Sequence, residues 1–155
     1  MDVGSVMKRE VVSVRTDQTL EDAIRLLVDR RVGMLPVVDG QDRLVGILGL
    51  REILRLSWPT FLDIIEDYDF VRNFGVLERS EISAEDRARP VAQLMQPATS
   101  VEVGCGLLRA EAVMRQHQLR DLPVVDEQNR LVGLASWVDV GVAFLRHWAN
   151  PQDTS

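Results

Sequence analysis

Hydrophobic residues recur along the chain with two different periods. Leu20, Ala23, Ile24 and Leu27 stand at i, i+3, i+4 and i+7, one face of a helix, and Thr19 with Asp22 supplies a capping start. Val11 to Val14, just upstream, reads as a short strand. After the helix, Leu35-Pro36-Val37-Val38-Asp39 is a β-rich run with Pro36 near its beginning, where a missing N–H is tolerated. Asp39-Gly40-Gln41-Asp42 has turn chemistry, so Arg43 to Leu48 returns as the second arm of a hairpin. Gly46 interrupts that arm, and a glycine inside a strand marks a bulge or the close approach of a second backbone or a ligand.

The same pattern is written twice. At a constant offset of 87, Leu35 to Leu48 and Leu122 to Ala135 are identical at ten of fourteen positions. Upstream, Leu20 and Ala23 align with Leu107 and Ala110, and Val12-Ser13-Val14 with Thr99-Ser100-Val101; Gly133 repeats Gly46. The sequence therefore predicts an α/β (α+β) fold of two pseudo-symmetric β-α-β-β-α repeats packed sheet to sheet, with a helical insert between them. A unit of roughly 50 residues buries too little surface to stand comfortably alone, so two facing copies with clefts between them are expected. The boundaries that follow are 1–56 for the first repeat, 57–90 for the insert or linker, 91–150 for the second repeat and 151–155 for a disordered tail.

The insert is not a solvated linker, because five of the chain's eight aromatic residues fall between Trp58 and Phe74. Phe61, Ile64, Ile65, Tyr68 and Phe74 recur near helical spacing, and Pro59 suits the first turn of a helix. A helical arm is expected, placed to cover the cleft, to support a dimer or to meet a client protein, with a dimer contact preferred because it buries the aromatic stripe. The acids Asp63, Glu66, Asp67 and Asp69 lie mostly off that stripe, where a wet surface explains them better than a hard-cation site. Ser80 to Pro90 reads as a surface turn and short helix.

Composition narrows the function. The 155 residues are 46% hydrophobic and carry a formal net charge of −6, which argues against nucleic acid as a partner, since phosphate-backbone binding rests on clustered Lys and Arg. No apolar run reaches the ~18 residues of a spanning helix, and the opening MDVGSVMKRE lacks the apolar core of a signal peptide, so no membrane insertion and a cytoplasmic location are expected. The lone Cys105 agrees with that location. Gly104 and Gly106 beside it suggest an open loop and a reactive thiol, yet no base or cation adjoins it in sequence. Catalysis is not expected. The two histidines, His117 and His147, accompany no nucleophile motif and no phosphate loop, and His117 ends a predicted helix, where a cation suits the dipole. No catalytic residue and no metal site is assigned.

The order L-P-V-V-D, turn, R-L-V-G, then an acidic residue opening the last helix, present twice, resembles the CBS domain, named for cystathionine β-synthase. Two together resemble a Bateman module, and the resemblance covers about Val6 to Leu54 and Leu94 to Leu145. It implies a stand-alone regulatory pair with no obligatory cofactor. Such a pair binds an adenosine-containing ligand (AMP, ADP, ATP or S-adenosylmethionine) in the clefts between repeats, forms a homodimer and reports to a client enzyme or transporter. The alternative within the same fold is a ligand-free scaffold for dimerisation and interaction.

The ligand motif the resemblance implies is Gly, apolar, x, Ser/Thr, x, x, Asp, complete in the second repeat as Gly133-Leu134-Ala135-Ser136-Trp137-Val138-Asp139. A strand passing through Gly133 lets a flat base approach the backbone, and the next helix offers its free N–H groups to a phosphate. Ser136 adds a donor, and one turn on Asp139 accepts from ribose hydroxyls. Ser136-x-x-Asp139 is equally a capping box that needs no ligand. The first repeat opens the same helix with Gly49 and Glu52, without the hydroxyl and with the carboxylate one methylene further out, so capping does not uniquely account for Ser136 and Asp139. The expected competent site is Gly133, Ser136, Val138 and Asp139; by resemblance Thr99, Val101, Arg120, Leu122 and Pro123 also line it. Met34, Leu35, Pro36, Gly46, Gly49 and Glu52 form a second, degenerate cleft. Arg120 either neutralises a phosphate or pairs with Asp121, and Met34 and Leu35 serve equally well as core.

Overall fold

The computed structural model describes residues 1–58, 62, 64–67, 69 and 71–150. Two three-stranded sheets carry the fold. In the first, β1 (Val14–Arg15) runs parallel to β2 (Met34–Val38), which pairs antiparallel with β3 (Leu44–Gly49). In the second, β4 (Val101–Glu102), β5 (Asp121–Val125) and β6 (Leu131–Ser136) repeat that topology and register. The crossovers are α1 (Leu20–Arg30) and α4 (Leu107–Gln116); α2 (Leu50–Leu54) and α5 (Trp137–Ala149) follow the hairpins, and α3 (Ala84–Arg87) lies in the insert. The expected α+β pair of β-α-β-β-α units is therefore present.

Local chemistry explains these elements. Thr19 and Asp22 close a reciprocal cap on α1, the Asp22 N–H donating to Thr19 Oγ1 at 3.3 Å and the Thr19 N–H to Asp22 Oδ2 at 3.1 Å. The apolar stripe of α1 buries Leu20, Ala23 and Leu27. Each hairpin turn is organised by its first acid. Asp39 Oδ1 accepts from the N–H of Gln41 at 2.8 Å and of Arg43 at 3.0 Å, and Asp126 Oδ1 accepts from Gln128 and Arg130, both at 2.9 Å.

The parallel strand β1 is shorter than the Val11 to Val14 expected, because the chain ahead of it belongs to the other half. The Val3 N–H donates to Cys105 O at 2.8 Å and the Gly4 N–H to Val103 O at 3.1 Å, while Lys8 and Leu134 exchange both backbone hydrogen bonds at 2.9 Å. Val3 and Met7 are buried in the core of the second repeat. The connector before the second repeat does the converse: Val91 bonds to Gln18 O at 2.8 Å, Gln96 pairs with Ile47, and Val91 is buried in the core of the first repeat. Each core is thus completed by the strap that precedes the other repeat. The hairpins also join across the pseudo-two-fold, Leu44 N–H to Asn129 O at 2.9 Å and Leu131 N–H to Asp42 O at 3.0 Å.

The expected helical arm rests largely on residues outside the described ones. Pro59, Phe61, Asp63 and Tyr68 lie outside the described residues, as does the 151–155 tail, and Ile64 is exposed. Asp67 and Asn73 accept from the backbone N–H two residues on, at 2.9 and 3.1 Å, and such local turns compete with helix. Helical turns occur later, as a 3₁₀ turn at Gly75–Arg79 and as α3. Among the described residues no helix is long and apolar enough to cross a membrane.

Candidate functional site

The N-terminus of α5 carries the polar pair singled out by the repeat. Ser136, the N-cap, donates from its hydroxyl to Asp139 Oδ2 at 2.7 Å and from its backbone N–H to the same oxygen at 2.9 Å, and its Oγ accepts from the Asp139 N–H at 3.1 Å. The capping box is therefore real. It still leaves Asp139 Oδ1 with no hydrogen-bond donor among the described residues, and Asp139 is half-buried rather than turned into the core.

The matching position in the first repeat is built differently. Glu52 Oε2 accepts from the Gly49 N–H at 3.1 Å, and a Cβ at position 49 would stand 2.6 Å from that oxygen. The longer acid folds back into the space that a serine side chain would take. Gly49 and Glu52 thus close on each other, and no hydroxyl remains to offer.

The structure brings some of the predicted residues together and separates others. Ser136, Val138 and Arg120 line a cavity of about 580 Å³ with Asp121, Gln118, Leu119 and Trp137. Asp139 opens on the other side of the first helical turn, into about 270 Å³ shared with Ser5, Val6, Val138 and Arg146. Val138 is the common wall. Thr99 and Val101 lie apart, on a third hollow with Glu102, Arg109 and His117. Leu122 and Pro123 are buried in β5, and Leu35 and Pro36 in β2; Met34 is half-buried. Gly133 lies beneath Met7, and Gly46 beneath the Met95 thioether and the Gln96 carbonyl, at 2.7 and 2.9 Å from where a Cβ would sit. At Gly133 the close approach is by the Met7 side chain, and at Gly46 by the Met95 side chain together with the Gln96 backbone.

Lys8 is a residue near the site that sequence reasoning passed over, and Asp121 entered it only among the residues before Pro123 and as a partner for Arg120. Asp121 is the ladder partner of Ser136 on the neighbouring strand, so its side chain borders the same cavity. Burial pushes its carboxyl above the ordinary range; Lys8 counters, Asp139 adds to the rise and Arg120 counters. The signal for Asp121 was present, since hairpin register places it opposite Ser136. Lys8 had none, because the swapped strap delivers it. Cys105 is no activated thiol: burial pushes it up, Arg109 counters and Glu102 adds.

Comparison with known proteins bears on the fold as a whole. The model of the CBS domain matches residues 3–58 and 91–143. The chain is 30% identical over 141 residues to the CBS domain-containing protein YhcV of Bacillus subtilis, covering 90% of this chain and 83% of that one. Among solved structures it is similar to the CBS-pair protein CBSX2 from Arabidopsis thaliana, with a TM-score of 0.74, 28% identity, and 96% and 97% of the two chains covered. CBSX2 has also been solved in complex with AMP, and that structure superposes with a TM-score of 0.69 at 25% identity over 94% of this chain and 96% of the other.

Proposed function

The chain belongs to the CBS domain family, and from that membership we propose that it is a regulatory sensor which binds an adenosine-containing ligand at the N-terminus of α5 and transmits occupancy to a dimer surface. The observation that carries the reading is the asymmetry between the two helix starts. Ser136 borders an open cavity of about 580 Å³, and Asp139, across the first turn of α5, keeps one carboxylate oxygen available in the hollow of about 270 Å³ that shares Val138 with it. Glu52 instead fills its own cap. The cavity falls within the ~300–1,000 Å³ usual for small-molecule sites. The AMP complex of CBSX2 supports adenosine as the ligand's core. Binding, not catalysis, is the activity we assign.

The output surface lies next door. Trp137, Gly141, Leu145 and Trp148 recur on one face of α5, and with Leu108 of α4 they form an apolar groove. Trp137 and Val138 border both this groove and the Ser136 cavity, so a ligand moving either one alters the groove. We assign the groove to a second copy of this chain.

Thermal melting with adenosine, AMP, ADP, ATP and S-adenosylmethionine tests the ligand reading. A ligand at a hundredfold its dissociation constant adds about 2.7 kcal/mol. Asp139→Ala should abolish the shift and Glu52→Ala should leave it. A flat response to every compound would favour the ligand-free scaffold, and loss of the shift in Glu52→Ala alone would move the site to the other cleft.

A further inference from the structure

Taking the adenosyl-sensor reading as its basis, we propose that Asp121 sets the ligand class of this cleft, selecting an adenosyl compound with a neutral or cationic substituent over one bearing phosphates. The argument is a local charge balance. Asp121 is half-buried, borders the cavity lined by Ser136, and makes no side-chain hydrogen bond or ion pair among the described residues. The charged groups facing it are Lys8 from the swapped strap, Arg120 from the entry to β5 and Asp139 from α5. On α4, Glu111 and Arg115 also border the cavity, but they are occupied with each other at 3.3 Å. Among the residues that line the cavity, Glu111 and Asp121 thus stand against Arg115 and Arg120, and no positive charge is left over.

A phosphate placed against the α5 N-terminus would meet helix N–H groups on one side and the Asp121 carboxylate, across the ladder from Ser136, on the other. Like charges in a partly desolvated cleft repel strongly. An ammonium or sulfonium, or a neutral donor group, finds in Asp121 an acceptor without a protein partner. The first repeat has Met34 at this position, so the charge belongs to the second cleft only.

Titration calorimetry of the full chain with adenosine, AMP, ATP and S-adenosylmethionine, the last as the cationic probe, tests the assignment. The wild type should bind S-adenosylmethionine or adenosine at least tenfold more tightly than ATP. Asp121→Asn should tighten AMP and ATP about tenfold and weaken S-adenosylmethionine, while Asp121→Glu keeps the wild-type order. If compounds bind but ATP is tightest in the wild type, or the order is indifferent to residue 121, the Asp121 assignment fails and the sensor reading stands. If none of the four binds to either protein, both fall together.

Discussion

Met7 lies on Gly133, its Cγ 2.8 Å from where a Cβ at that position would be, with the thioether still closer. The two residues are 126 positions apart in sequence, and their contact is the point where the N-terminal strap seals the core of the second repeat. Gly133→Ala should therefore cost about 1–3 kcal/mol by overpacking. Met7→Ala should cost about 2–5 kcal/mol through the cavity it leaves. In the double variant the clash disappears, so the combined loss should be smaller than the sum of the two single losses. Urea denaturation of the four proteins gives the coupling, and strict additivity would show that the strap is not seated as described.

The hairpins predict a loss of stability in acid. The N–H of Gln41 chiefly holds the Asp39 carboxyl below the ordinary range, with burial opposing and the N–H and guanidinium of Arg43 adding. At Asp126 burial is the largest influence and acts upward, but the N–H and guanidinium of Arg130 and the N–H of Gln128 together bring the group below that range. A folded pKa below the unfolded one stabilises the protein above the unfolded value, and this is lost as pH falls through the folded value. Stability should fall below about pH 4, and Asp39→Asn with Asp126→Asn should both lower neutral stability and flatten the acid slope. Unchanged slopes in urea midpoints against pH would refute it. Asp121 has the opposite sign. Its raised carboxyl penalises the folded state above its pKa, so Asp121→Asn should gain stability at neutral pH and match the wild type in acid.

What was legible in the sequence were features whose causes are local. The α1 cap, the hairpin turns and the period of each strand are written within a few residues of where they act, and repetition supplied the pairing of the halves. The crossing of the straps was not legible, because Lys8 meets Leu134 with no pattern joining them. That crossing also governs the site: it covers Gly133, which had been expected to face a ligand, and it delivers Lys8 and Ser5. In the insert, Asp67 and Asn73 offer the backbone local turns that aromatic spacing alone does not announce.

The apolar face of α5 leads to the last prediction. Leu145 is 60% exposed and Trp148 70%, and Leu108 of α4, 71% exposed, lies beside them. Large apolar side chains clustered this way on the surface of a small domain mark an association surface. Gly141 stands in the middle of the stripe with nothing within 4 Å of where its Cβ would be, so a second helix can approach closely there. A two-fold pairing brings the same stripe from both copies and needs no other partner. Light scattering should give twice the 17.5 kDa chain mass for the wild type, and Leu145→Asp should give the monomer. Because Leu145 already faces water in the isolated chain, that substitution should leave the fold of the monomer intact by circular dichroism. A folded Leu145→Asp protein that still weighs as a dimer would place the contact elsewhere, and a wild type that is monomeric at tens of micromolar would remove it.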